Sequence, residues 1–337
     1  MAVPSLVTID SSEPLEKMYE IVARDGGVIV SNFLTPELLK EAMDGINREF
    51  AARKKIFEGN TSHSELGADF FPEGTQRVYG LLGKMPTFIS GVLRLKVWQG
   101  IMDKFLRSAS LPLRLYERLC INMDCSDERS TITGDKYLPL KSGYMLATTA
   151  GLRLEPGAKP QPLHRDEIKF QSNPDPNNPL FTPMIGCLIA GSRCTKKNGA
   201  TLVIPGSHLW PSNRFPKIEE VTYAEMEPGS ALFTLGSTYH AAGENKCERG
   251  EVDSVRTLFA CFGQRDYFRQ DQDEVHSTPI SVIRSLPNDI LRLAGFYKSV
   301  GGVGYVADHQ DPAEFLHVDE YGSGRMGTKI QQAATTI

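Results

Sequence analysis

The sequence predicts a mainly β protein with flanking helices, its strands forming a sandwich or barrel. From about residue 115 to 265, short apolar runs recur between Gly, Pro and Asn: "YMLATTAGLRL", "MIGCLIAG", "ATLVIPGSH", "SALFTLGSTYHAAG" and "VRTLFACFG". Runs of that length and spacing read as short strands joined by turns. On either side of this region the apolar residues recur at helical spacing instead. The chain therefore divides, within one expected domain, into helices, a strand and a loop (1–112), a β core (113–270), and a C-terminal helix and tail (271–337).

Leu15, Met18, Ile21 and Val22 mark one face of a first helix that ends at Gly26-Gly27. "VIVSNFL" follows as a short buried strand. Thr35 is placed to cap the next helix, with Pro36 at its first position and Leu38, Leu39, Ala42, Met43, Ile46 and Phe50 as its buried stripe. Residues 54–86 are polar and Gly-rich with isolated aromatics, as expected of an ordered loop over a site. A single helix is predicted through "SGVLRLKVWQGIMDKFLRS", and "TPISVIRSLPNDILRLAGF" reads as helical after the β core. The tail from Tyr297 is Gly-rich and without period.

Composition removes several functional classes. The net charge is −4 and the basic residues are scattered, so the footprint of a nucleic-acid binder is missing. No apolar run reaches membrane-spanning length, and the first residues do not read as a secretory signal. Six cysteines, at 120, 125, 187, 194, 247 and 261, form no C-x-x-C pair and read as reduced thiols. A cytoplasmic protein is the expectation.

Seven histidines are available, and two sit in His-x-Asp triplets: His164-Arg165-Asp166 and His317-Val318-Asp319. Residues two apart on an extended segment project to one side, and Pro160 and Pro162 favour extended backbone before them. His164 and Asp166 can therefore share an ion, and His240, at the end of the run "SALFTLGSTYH", is the preferred third ligand. Two histidines and a carboxylate make the facial arrangement typical of non-haem Fe(II). Arg256 opens the run "VRTLFACF", where a planar fork suits a bidentate carboxylate, so a 2-oxoglutarate cosubstrate is expected with the iron. His208, in the turn "IPGSH", is a rival third ligand, and His317 with Asp319 is a rival pair lacking a following strand. By spacing alone, two satisfied core histidines would look the same. A kinase catalytic loop would need Asn where Gln171 stands, and no Gly-x-Ser-x-Gly elbow is present.

"EIVARDGGVIVSNFLTPELL", "GTQRVYGLLGKMPTF", "GAKPQPLHRDE", "KKNGATLVIPGSH" and "STYHAAGENK" leading into "VRTLFACF" together resemble the phytanoyl-CoA dioxygenase family, and within it the fungal oxygenases of meroterpenoids and alkaloids. The resemblance implies a double-stranded β-helix (jelly-roll) barrel. It implies Fe(II) on His164, Asp166 and His240, and 2-oxoglutarate on Arg256 with Gln161 and Thr201, with O2 as second cosubstrate. The reaction it implies is oxidation of an unactivated C–H bond of a small hydrophobic substrate, by hydroxylation, desaturation or rearrangement. A homodimer is expected by analogy. Phe71, Tyr79, Met145 and Phe170, all expected on loops, are the candidate substrate residues, and Arg165 is expected to be a bystander between two ligands. The alternatives are a phytanoyl-CoA-type 2-hydroxylase of an acyl thioester and a non-catalytic jelly-roll binding protein. Two departures stand out: Cys261, where some endoperoxide-forming relatives carry tyrosine, and a long stretch at 123–143.

Overall fold

The computed structural model describes residues 5–56, 74–108, 142–172, 178 and 180–318, with the backbone of two short pieces at 132–133 and 136–137. Strand β1 (Thr8–Asp10) precedes α1 (Leu15–Asp25), which buries Met18 and Val22 as the periodicity predicts. Gly26 ends this helix at φ 77°, and a Cβ there would lie 2.5 Å from both His208 Nδ1 and Thr238 Oγ1, so the position requires glycine. β2 (Gly27–Ser31) follows, then α2 (Pro36–Ile56), where the Thr35 hydroxyl accepts the Leu38 N–H at 3.3 Å.

The expected loop at 54–86 is in part regular. It contains β3 (Thr75–Tyr79) and a short helix, α3 (Leu81–Lys84). The single helix expected from residue 90 is two, α4 (Pro86–Leu93) and α5 (Lys96–Leu106), with Leu95 extended between them. The break lets both halves bury a face, Phe88, Ile89, Val92 and Leu93 in one and Val97, Trp98, Ile101 and Met102 in the other. Gln99 Nε2 donates to the Leu93 carbonyl freed at the break, at 2.9 Å.

After the pieces β4 (Ile132–Thr133) and β5 (Lys136–Tyr137) come the long strand β6 (Tyr144–Leu154), β7 (Met184–Ala190), β8 (Thr201–Val203), β9 (Thr222–Ala224), β10 (Ala231–Leu235), β11 (His240–Ala241) and β12 (Arg256–Arg265). Short helices complete the chain: α6 (Glu274–Ser277), α7 (Ile280–Ile283), α8 (Asn288–Leu293) and α9 (Pro312–Phe315). The run containing His240 is not one strand. β10 belongs to the larger sheet, the chain turns at Gly236, and His240 begins β11 in a second sheet.

The larger sheet has seven strands in the order β1-β2-β10-β7-β12-β6-β3, antiparallel except for β1 and β2. The smaller has three, β11-β8-β9. Helices cover one face of the large sheet: Trp98 donates to the Cys261 carbonyl at 3.0 Å, and Phe88 packs on Phe259 with ring centroids 4.9 Å apart. Ile46 of α2 occupies the space that any side chain at Gly151 would need. The other face holds a second core, in which Ala150, Leu188, Leu258 and Ala260 of the large sheet meet Val203 and Ala224 of the small one. Alternation along β12 therefore decides which residues point toward the helices (Phe259, Cys261) and which between the sheets (Leu258, Ala260). Among the described residues no helix is long and apolar enough to cross a membrane.

A polar chain crosses the helix-side core. The Leu81 N–H donates to Thr149 Oγ1 at 2.8 Å, and that hydroxyl donates to Glu274 Oε1, also at 2.8 Å. Burial pushes the Glu274 carboxyl up from 4.5 to about 7. A carboxyl raised on folding contributes stability that is complete below about pH 4.5 and is lost as pH rises through about 7. Glu274→Gln keeps an acceptor for Thr149 and cannot ionise. Urea unfolding should find it equal to wild type near pH 4 and more stable at pH 8, by on the order of 3 kcal/mol.

Candidate metal centre and its buried arginine

Beyond β6 the chain runs alongside the β11 segment. The Gln161 N–H donates to the Ala242 carbonyl at 3.0 Å, and His164 and His240 exchange both backbone hydrogen bonds at 3.0 Å each. Opposed residues of an antiparallel pair project to the same side, so this bridge sets the two imidazoles together, ring centroids 4.5 Å apart. Arg165 is extended (φ −112°, ψ 130°), which returns Asp166 to the side of His164 before a 3-10 turn begins at Asp166–Phe170.

His164 Nε2 lies 3.7 Å from Asp166 Oδ1, and His240 Nε2 lies 3.5 Å from Asp166 Oδ2. The three ligand atoms lie within 4.8 Å of one another. Among the described residues this is the one His/Cys/Asp/Glu group with metal-holding geometry. Both Nδ1 atoms face backbone carbonyls, Pro162 O at 2.9 Å for His164 and Thr238 O at 3.0 Å for His240. That pairing fixes each ring's tautomer, Nδ1 protonated and the Nε2 lone pair directed at the shared point, as a ligating histidine requires.

Electrostatics agree. Burial, with His240 adding to it, lowers His164 to about 4, so it is a neutral ligand at neutral pH. Burial works to raise Asp166, but His240, Lys169 and His164 together hold its carboxyl below the usual range. Lys169 is itself tied to Asp271 at 2.6 Å.

Val203 of β8 lies opposite His240. Thr201, two residues before Val203, shares that face of the small sheet, and it is buried. Arg256 opens β12 with the parity of Leu258 and Ala260, so it points between the sheets, and it is 2 % exposed. Its Nη1 donates to the Gly199 carbonyl, its Nε has no partner, and among the described residues no carboxylate pairs with it. Desolvation lowers its pKa, as it does for the other buried arginines, Arg165 and Arg265, so the difference lies in their partners. Arg265, at the other end of β12, is also buried but donates to three carbonyls, of Thr182, Leu106 and Phe105, at 2.8 to 3.2 Å. One arginine of β12 is saturated by carbonyls, and the other has a single carbonyl partner among the described residues.

The rival ligands separate from this group. His208 is fully buried, with its Nε2 at 3.1 Å from the Ala23 carbonyl beneath Gly26. His317 sits in a left-handed turn after α9, and Asp319 lies outside the described residues. Gln161 is beside the site, with its Oε1 accepting the Ala242 N–H at 3.0 Å.

Of the substrate candidates, Tyr79 and Met145 are not on loops. Tyr79 stands on β3, the edge strand, opposite Ala150 and 41 % exposed, which directs it to the face between the sheets. Met145 is buried on β6, its sulfur packed against the backbone turn at Gly295. Phe170 closes the 3-10 turn and packs on Phe268 at 5.2 Å. Phe71 lies outside the described residues, as does most of 123–143. Cys261 faces the helices, away from the triad's side of the sheet. Lys169 and Asp271 escaped the sequence reading, since a Lys and an Asp a hundred residues apart carry no local signal.

Two imidazoles and one carboxylate on one side of a β scaffold, with an unpaired guanidinium between the sheets, define a non-haem metal-dependent dioxygenase. The chain belongs to the phytanoyl-CoA dioxygenase (PhyH) family, whose sequence pattern matches residues 22–250. The dioxygenase swnH2 of Arthroderma benhamiae is 31 % identical over 93 % of this chain and 90 % of its own length. The dioxygenase cnsJ of Penicillium expansum is 32 % identical over 72 % of this chain and 68 % of its own. Among solved structures, the non-heme alpha-ketoglutarate-dependent carbocyclase SnoK from nogalamycin biosynthesis shares the fold, with a TM-score of 0.51 and 15 % identity over 80 % of this chain and 92 % of its own. As a member of the family the chain is a dioxygenase that uses iron(II), 2-oxoglutarate and dioxygen.

Removing an uncompensated buried charge should not harm the fold. Arg256→Met, similar in reach and apolar, should unfold in urea within about 1 kcal/mol of wild type or later, because no native ion pair is lost. A loss of several kcal/mol would make the arginine structural.

Proposed function

We propose that His164, Asp166 and His240 hold Fe(II) and that Arg256 binds the distal carboxylate of 2-oxoglutarate, within a double-stranded β-helix. The observation that carries this reading is the buried guanidinium of Arg256, without a carboxylate partner among the described residues, on the face of β12 turned toward the small sheet that carries His240, together with a triad whose ligand atoms converge. A dianion there would satisfy the orphaned Nε and remove the cost of the isolated charge. The donor set fits iron, and the open positions of a facial triad leave room for a bidentate cosubstrate. Thr201, on the His240 face, and Gln161, beside Ala242, are the remaining cosubstrate contacts in this reading.

When bound, iron with 2-oxoglutarate and dioxygen supplies an oxidant strong enough for an unactivated C–H bond. The chain's own part is to hold the triad, clamp the carboxylate and place the substrate carbon, and placement selects hydroxylation, desaturation or rearrangement. Tyr79, Phe170 and its neighbour Phe268 offer aromatic surface for a hydrophobic substrate, which in this reading is a secondary metabolite of the meroterpenoid or alkaloid kind, the class that the sequence resemblance implies. We read the enzyme as a homodimer on family analogy.

Anaerobic addition of Fe(II) and 2-oxoglutarate should produce the visible charge-transfer band of the chelate in wild type. The band should vanish in His164→Ala and His240→Ala, and should need far more 2-oxoglutarate in Arg256→Met. No band in wild type, or a band unchanged in the histidine variants, sinks the proposal.

A further inference from the structure

Arg165 stands between two of the ligands and faces the other way. It is 9 % exposed, and its guanidinium lies over the ring of Tyr239 at 4.2 Å. Tyr239 immediately precedes the third ligand, His240. Arg165 Nη2 donates to the Ser207 carbonyl at 2.8 Å and more distantly to that of Trp210 at 3.4 Å. The Ser207 hydroxyl in turn accepts the Tyr239 N–H at 2.8 Å. The stack continues outward: Tyr239 packs on Trp210 at 6.1 Å, and the Arg214 guanidinium covers Trp210 at 3.4 Å.

Two segments carry the ligands, 164–166 and 240; the His164–His240 backbone bridge joins them, and the Glu167 N–H adds a bond to the Gly236 carbonyl at 3.1 Å. Asp166, at the start of the 3-10 turn, lies between these two backbone contacts, and its direction also depends on how Arg165, the residue before it, is seated on the other face. A planar cation stacked on an aromatic ring and forked onto fixed carbonyls restrains both distance and rotation, which a flexible ammonium does not. We propose that Arg165 is a positioning residue: its stack on Tyr239 ties the two ligand-bearing segments together from behind and presets the His164–Asp166–His240 geometry for the metal. This rests on the metal-centre reading above and extends it to residues that touch no ligand atom's open side.

The test is a Co(II) titration of the metal-stripped full chain, followed by visible d–d absorption, with the thermal midpoint measured on each variant. Arg165→Ala and Tyr239→Leu should each weaken Co(II) binding about 10- to 100-fold, the range found for residues that orient metal ligands. Combining them should cost little more than either alone, because both remove one contact. Tyr239→Phe keeps the ring and should bind Co(II) as wild type does. Arg165→Lys keeps the charge without the fork, folds if the alanine variant does not, and should show an intermediate loss. A lowered midpoint with wild-type Co(II) affinity in Arg165→Ala, Arg165→Lys or Tyr239→Leu overturns the proposal, as do additive losses in the double variant. Wild type failing to bind Co(II), or His164→Ala binding it equally well, overturns the metal-centre reading itself and this inference with it.

Discussion

Two backbone hydrogen bonds, exchanged between His164 and His240, are the constraint on which the site depends. They join residues 76 positions apart without any contribution from the side chains, so the imidazoles meet whether or not an ion is present. Much of the surrounding structure serves to keep that bridge in place. Gly236 ends β10 so that the chain can leave the large sheet and begin β11 in the small one, and the side chains of Gln161 and Ser207 each bind a backbone N–H beside His240. The second core, shared by the two sheets, holds β8 against β11 in the register that sets Val203 opposite His240. A slip by one residue there would turn His240 out of the site altogether.

Three arginines buried near this core show how partner accounting separates structure from function. Arg265 spends its guanidinium on three carbonyls and on the face of Phe181, 4.3 Å away, and is thereby complete. Arg165 places one Nη on carbonyls and its face on Tyr239, and its Nε, like that of Arg256, has no hydrogen-bond partner. Arg256 has one carbonyl and an orphaned Nε. A guanidinium retains its charge at any depth, so the desolvation penalty must be offset by something, and for Arg256 the described residues supply too little. An anion of carboxylate geometry is the simplest complement.

The features legible in the sequence were those written in local pattern. Helical periodicity found α1 and α2, the glycine pair found the end of α1, and apolar runs found β6, β7 and β12. His164, Asp166 and His240 stood out by residue type and order, and their ligand atoms lie within 4.8 Å of one another; Arg256 stood out as a charge opening an apolar run, and it is buried. The break at Leu95 was not, since no Pro or Gly marks it, and it arises from two helix halves each finding a surface to bury. β3 was hidden because an edge strand can be polar, and "TQRVY" alternates too briefly to stand out in a Gly-rich loop. The division between β10 and β11 was hidden because the strands belong to different sheets yet their sequences form one nearly continuous apolar run.

Arg165 illustrates a more general point about reading a His-x-Asp triplet. Attention falls on the two ligands, and the residue between them looks like a spacer, because alternation sends it away from the metal. That same alternation obliges its side chain to enter whatever lies behind the site. Here the space behind contains Tyr239, the chain neighbour of the third ligand, and two carbonyls of the 207–210 turn. Glu167, two residues on in the 3-10 turn, is buried too, and burial raises its carboxyl to about 7 against the opposing pull of the Arg165 charge. The middle residue is thus constrained as well, by packing and stacking geometry, and this becomes visible only when both faces of the strand are followed to what they touch.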